Sequence, residues 1–115
     1  MKREVNTKFW SLNQNNSGGY FINNENVKEY VIIEALNADE CQNKARDIFE
    51  DYREYCQCCG ERWGDAWLSE GEGREAPKIF GKEINLDAEL SPGEGNVVIY
   101  FIDGTRKYYR YKLEL

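Results

Sequence analysis

The chain has 115 residues, enough for one domain, and 41% of them are hydrophobic, enough for a core. The net charge of −6 argues against nucleic-acid binding, and the absence of histidine excludes Ser-His-Asp and Cys-His catalysis within one chain. The sequence has neither an apolar run of roughly 18 residues, as a membrane span requires, nor an apolar signal segment at its start. We therefore expect a cytosolic protein with a single domain, residues 1–115, and no membrane partner.

Three β-strands are predicted in the first third of the chain. Alternating or β-branched residues mark each strand, and the Asn- and Gly-rich residues between the first two favour a tight turn. The predicted strands are residues 7–14, 20–22 and 28–36, of which the first two would form a hairpin. In the third strand Val31 and Ile33 are expected on one face of the sheet. Tyr30 and Ile32 are expected on the other.

A helix is predicted after the third strand. Asn37, followed three residues later by Glu40, forms a capping box, which satisfies free N–H groups at the start of a helix. Apolar residues then recur at spacings of three and four, as on one face of a helix. They are Cys41, Ala45, Ile48, Phe49, Tyr52 and Tyr55.

The second half of the chain begins with a long segment that is poor in apolar residues. We expect a short strand near residues 78–81, and a flexible, solvated acidic portion near residues 69–76. Residues 96–102 and 105–115 are then predicted to form a hairpin around Asp103-Gly104, a strong turn signal.

These elements together predict an α+β fold. The expected architecture is an antiparallel sheet of about five strands with one main helix packed on one face. The expected order of elements along the chain is β-β-β-α-loop-β-β.

Three cysteines lie close together at Cys56, Cys58 and Cys59. A structural zinc site usually takes four ligands in two separated pairs, whereas this sequence has one cluster and no histidine. We therefore expect no metal and no cofactor; if zinc were bound, these three cysteines would be its ligands. The open alternatives are a redox pair formed by Cys56 and Cys59, or a tight turn that packs against Trp63. Cys41, on the apolar face of the helix, is expected to be buried.

Two segments are candidates for ligand binding. The first is a run of polar side chains that either forms a plain turn or lines a polar pocket. It consists of Asn13, Gln14, Asn15, Asn16 and Ser17, with Tyr20 close behind. In the second segment, Trp63 is either a core residue or a stacking platform for a planar ligand, with Arg62 available for an anion.

Several short motifs occur together in this sequence. They are FW at 9–10, QNNSGG at 14–19, CCGERW at 58–63, PKIFG at 77–81 and DG at 103–104. In this combination the chain resembles a family of small uncharacterised proteins encoded by tailed bacteriophages, over roughly residues 8–106. Residues 70–74 look like a variable insertion in that family. The resemblance implies a protein made in the cytoplasm of the bacterial host.

The resemblance suggests a counter-defence role, because small phage proteins commonly bind and disarm host components. We expect a non-enzymatic protein that binds and sequesters a small nucleotide-like immune signal of the host, through the two candidate segments. The alternative is an acidic inhibitor that binds a host protein directly through a Tyr-rich surface. The abundance of aromatic residues, 14% of the chain, also predicts a homo-oligomer.

Overall fold

The computed structural model describes residues 7–14, 21–52, 55–56, 60–61, 63 and 68–112, and at 55–56 and 60–61 it describes the backbone alone. The fold is α+β, with one main helix, α1, Ala38–Phe49. Eight strands are described: β1 Lys8–Asn13, β2 Tyr30–Ala35, β3 Tyr55–Cys56, β4 Gly60–Glu61, β5 Lys78–Ile79, β6 Lys82–Glu83, β7 Val97–Tyr100 and β8 Arg106–Tyr109. Short 3-10 turns occupy Glu50–Tyr52 and Glu70–Glu72.

Four of these strands form the central sheet, in the order β1-β2-β7-β8. Its pairing corrects the expectation of a wholly antiparallel sheet, because β2 and β7 run parallel. The connection between them contains α1 and the strands β3 to β6. This long crossover returns the chain to the end of the sheet at which β2 begins, so β7 runs in the same direction as β2. The strands β3 and β4, and β5 and β6, form two separate two-stranded sheets.

A second prediction, a strand at residues 20–22, is wrong for the two of these residues that the structure describes. Phe21 and Ile22 lie outside any strand, while Tyr20 falls outside the described residues. The partner of β1 is β2 itself, with Lys8 opposite Ala35 and Asn13 opposite Tyr30. The central sheet therefore has four strands instead of about five.

The sheet is buried on both faces. On the first face, α1 contributes Cys41, Ala45 and Phe49 to a core that includes Val31 and Ile33 of β2. On the second face, Ile79 and Ile84 cover a cluster that contains Tyr30, Ile32, Ile99, Tyr109 and Tyr111. The predicted alternation of β2 is thus confirmed, and an outer segment covers the face that the helix leaves open.

The start of α1 is capped twice. The side chain of Asn37 accepts a hydrogen bond of 2.8 Å from the Glu40 amide, as the capping box predicts. The Glu70 carboxylate accepts a second bond, of 2.6 Å, from the Ala38 amide. Glu70 belongs to the acidic segment, residues 69–76, that was predicted to be flexible and solvated. The bond to Ala38 instead attaches this segment to the helix. None of the helices in the described part of the chain is long and apolar enough to cross a membrane.

The predicted turn at Asp103-Gly104 is confirmed. Around Asp103-Gly104, the Phe101 amide donates to the Thr105 carbonyl at 2.9 Å, which closes the hairpin of β7 and β8. The short strand expected near residues 78–81 is found only at Lys78–Ile79, because Phe80 and Gly81 form the turn of the β5–β6 hairpin.

Candidate functional site: a groove beside strand β1

Gln14, one of the predicted binding residues, is buried and bonded within the chain. Its side-chain amide donates to the carbonyls of Ile22, at 2.9 Å, and Lys28, at 3.1 Å. Its side-chain oxygen accepts a hydrogen bond from the Ile22 amide. Gln14 therefore fastens the segment around residues 22–28 to the end of β1, which is a structural role.

Trp63, the second candidate whose side chain is described, lies in the core. It is 2% exposed, and its ring stacks on Phe49 with the centroids 3.9 Å apart. Its indole nitrogen donates to the Tyr52 carbonyl at 3.2 Å. This geometry corresponds to core packing, which was one of the two alternatives predicted for Trp63.

Several other predicted residues fall outside the described part of the chain. They are Asn15, Asn16, Ser17, Tyr20, Arg62, Cys58 and Cys59, and of Cys56 only the backbone is described. Cys41 is buried as expected, and burial raises the pKa of its thiol to about 12. A thiol that ionises so reluctantly is a poor nucleophile and a poor metal ligand. Within the described ranges, no group of three or more Cys, Asp or Glu side chains could hold a metal ion.

Asn13 is the predicted residue that lines an open site. It borders a cavity of about 330 Å³, which adjoins a second cavity of about 200 Å³. We call the two together the β1 groove, because both extend along that strand. Both are lined by Ser11, Glu72 and Phe80; the first also by Leu12, Asn13 and Leu68, and the second by Trp10, Arg74, Lys78 and Gly81.

The floor of the β1 groove is the outer edge of strand β1. Phe9 exchanges two main-chain hydrogen bonds with Arg74, of 2.8 and 2.9 Å, on the side facing away from β2. Because main-chain groups alternate in direction along an antiparallel strand, those of Ser11 and Asn13 face the same way as those of Phe9. The floor therefore presents backbone N–H and C=O groups.

One wall of the groove is the 3-10 turn Glu70–Glu72. The Trp10 indole nitrogen donates to the Ser69 carbonyl at 2.9 Å, which attaches the turn to β1. The Ser69 hydroxyl donates to the Glu72 carboxylate at 2.9 Å. Gly73 packs so closely on Trp10 that a Cβ at this position would lie 2.8 Å from the indole ring. This wall is consequently held in place by specific contacts.

The other wall is the tip of the β5–β6 hairpin. Phe80 and Gly81 both have positive φ, 51° and 80°, which makes the two-residue connection a type I′ turn. Asn, Asp or Gly usually occupies the first position of such a turn, because a bulky side chain is strained there. Phe80 is nevertheless 67% exposed, with its ring 6.2 Å from those of Tyr30 and Tyr111.

The groove brings together groups that suit a planar, polar ligand. Phe80 offers an aromatic surface, the β1 edge offers main-chain donors and acceptors, and Glu72, Arg74 and Lys78 offer charges of both signs. Sequence reasoning found only Asn13 among these residues. The missed signal was Phe80-Gly81, since a phenylalanine before the glycine of a two-residue turn is unusual.

Comparison with known proteins places the chain in a family. No curated protein and no solved structure matches it. The model of one protein family, DUF7296, matches residues 7–115, which is almost the whole chain. The protein therefore belongs to the DUF7296 family, which is described as a domain of unknown function.

Proposed function

We propose that this protein is a non-enzymatic binding protein that sequesters a small nucleotide-like molecule in the β1 groove. The observation that carries the proposal is Phe80, an aromatic side chain held in a strained turn and largely exposed, at the wall of a groove with both polar and apolar lining. Strained backbone residues cluster at binding sites, and aromatic faces stack on nucleobases. With the resemblance to phage proteins, the ligand we propose is an immune signal of the bacterial host.

The size and chemistry of the groove support a ligand of this class. Its larger part, about 330 Å³, is within the usual range of small-molecule sites. A nucleotide combines a planar base with an anionic group, and Arg74 and Lys78 line one end of the groove. Another cavity, of about 280 Å³, lies beside Arg110 and Tyr111, but it has no strained aromatic residue at its wall.

The alternative, direct binding to a host protein through a Tyr-rich surface, has less support. Every tyrosine whose side chain the structure describes is buried or half-buried: Tyr30, Tyr52, Tyr100, Tyr108, Tyr109 and Tyr111. The Tyr-rich strand β8 thus contributes to the two cores. The same burial weakens the argument for a homo-oligomer, which stays a prediction.

We propose binding without turnover because acid-base catalysis needs a suitable pair of titratable side chains. The chain has no histidine. The titratable groups among the described lining residues are Glu72, Arg74 and Lys78. We therefore propose that the protein withholds its ligand from a receptor instead of converting it.

The test is retention of bacterial metabolites. The purified protein is dialysed against a small-molecule extract of bacteria, and the molecules it retains are released and identified by mass spectrometry. We expect nucleotides with wild type and a strong reduction with Phe80→Asn, which removes the ring but suits the turn. Leu86→Ala is the matched control, because Leu86 is another exposed apolar residue, at 43%, that does not line the groove. Retention of no nucleotide, or equal retention by wild type and Phe80→Asn, would contradict the proposal.

A further inference from the structure

We propose that the β1 groove selects a guanine-type base, and this inference rests on the proposed function. The residue that would make the selection is Glu72, which lines both parts of the groove. The ligand would thus be a guanine nucleotide, with its base beside Glu72 and Phe80.

Glu72 is held in one place by its own turn. Its amide donates to the Ser69 carbonyl at 3.1 Å, and its carboxylate accepts the Ser69 hydroxyl at 2.9 Å. Ser69 is fixed in turn by the Trp10 indole, whose ring is buried in the core. A carboxylate ordered in this way loses little freedom when it binds a ligand.

The chemistry of a carboxylate decides which base fits. An ionised carboxylate only accepts hydrogen bonds, and it pairs best with two adjacent donors. Guanine presents such a pair, the ring N1–H and the exocyclic amino group. Adenine presents one amino donor beside a ring nitrogen that is itself an acceptor, which would face the carboxylate unfavourably. Glu72 therefore favours guanine over adenine.

The charges along the groove set the direction of the nucleotide. Arg74 and Lys78 line only the smaller part of the groove and attract a phosphate, whereas Glu72 repels it, so we expect the phosphate beside these two cations. The Arg74 guanidinium already donates to the carbonyls of Gly71, at 2.9 Å, and Gly73, at 3.3 Å, so it is partly ordered.

The test compares three nucleotides by isothermal titration: GMP, IMP and AMP. IMP keeps the N1–H of guanine but lacks the amino group, so it should bind with intermediate affinity. We expect GMP to bind about tenfold more tightly than AMP, a difference of the size of one charge-assisted hydrogen bond. In Glu72→Gln this preference should fall to about threefold or less, because an amide oxygen can still accept the Ser69 hydroxyl but the charge is gone.

Glu75→Gln is the matched control, because Glu75 is an exposed acid in the same segment that does not line the groove. It should keep the wild-type preference. Equal binding of GMP and AMP to wild type, or an unchanged preference in Glu72→Gln, would overturn the guanine assignment and leave the proposed function standing. Absence of binding for all three nucleotides would overturn both. Should Glu72→Gln fail to fold, the ratio of GMP to AMP affinity in wild type decides alone.

Discussion

Phe80 combines a strained backbone with an exposed side chain. Substitutions can separate the effects of these two features on the unfolding free energy. Phe80→Ala and Phe80→Asn remove the same contacts with Tyr30 and Tyr111. Only Asn is suited to the positive φ of 51° at this position. We therefore expect Phe80→Asn to be more stable than Phe80→Ala by about 1 kcal/mol in urea unfolding. Equal unfolding free energies would show that the turn carries no strain.

Lys28 is a buried cation whose titration should be visible in stability. Its ammonium donates to the Asn23 side chain at 2.8 Å and lies 5.5 Å from the centre of the Tyr108 ring. Burial lowers the pKa of Lys28 from its ordinary value of 10.5. Between the lowered pKa and 10.5, the unfolded chain holds more protons than the folded chain. Stability should therefore rise with pH in that window.

The comparison with Lys28→Met isolates this effect. The substitution should remove the rise in unfolding free energy as pH increases toward 10, where the tyrosines begin to ionise in the unfolded chain. Above that pH both proteins should lose stability, because burial raises the pKa of Tyr108 and Tyr109 in the fold. If wild type and Lys28→Met show the same slope below pH 10, Lys28 does not titrate with a lowered pKa.

At the scale of elements, α1 is joined to the core mainly through Phe49. This side chain is fully buried and stacks on Trp63. Phe49→Ala should therefore cost about 3–5 kcal/mol of unfolding free energy. Ile48, its neighbour, is only partly buried, so Ile48→Ala should cost clearly less. Chemical denaturation of both variants measures the difference, and similar losses would mean that Phe49 is not the main contact of the helix.

The acidic segment should stabilise α1 through Glu70. Its carboxylate accepts the Ala38 amide at 2.6 Å, where the helix dipole favours a negative charge. Glu70→Ala should lower the unfolding free energy by about 1 kcal/mol. Glu75→Ala, in the same segment but with an exposed side chain, should change it little. A thermal melt in which the two variants coincide would contradict the capping role.

Local sequence patterns correctly predicted the features that neighbouring residues determine. The alternation of Tyr30 to Ile33 set the two faces of β2, and Asn37 set the start of α1. The parallel pairing of β2 with β7 could not be read in this way, because it depends on how a crossover of some sixty residues returns to the sheet. The groove was missed for the same reason, since its floor, β1, lies far from its two walls in the sequence.

At the scale of the whole molecule, a sheet covered on both faces leaves the outer edge of β1 beside an open groove. The central claim is that a nucleotide binds there. The most direct measurement is a titration of the isotope-labelled protein with GMP, followed by the NMR shifts of its backbone amides.

We expect the largest shifts at Ser11 and Asn13, whose amides face the groove, and at the turn residues Phe80 and Gly81. The amide of Arg110, beside the separate cavity, should move little. Shifts centred on Arg110, or no shifts at all, would contradict the account.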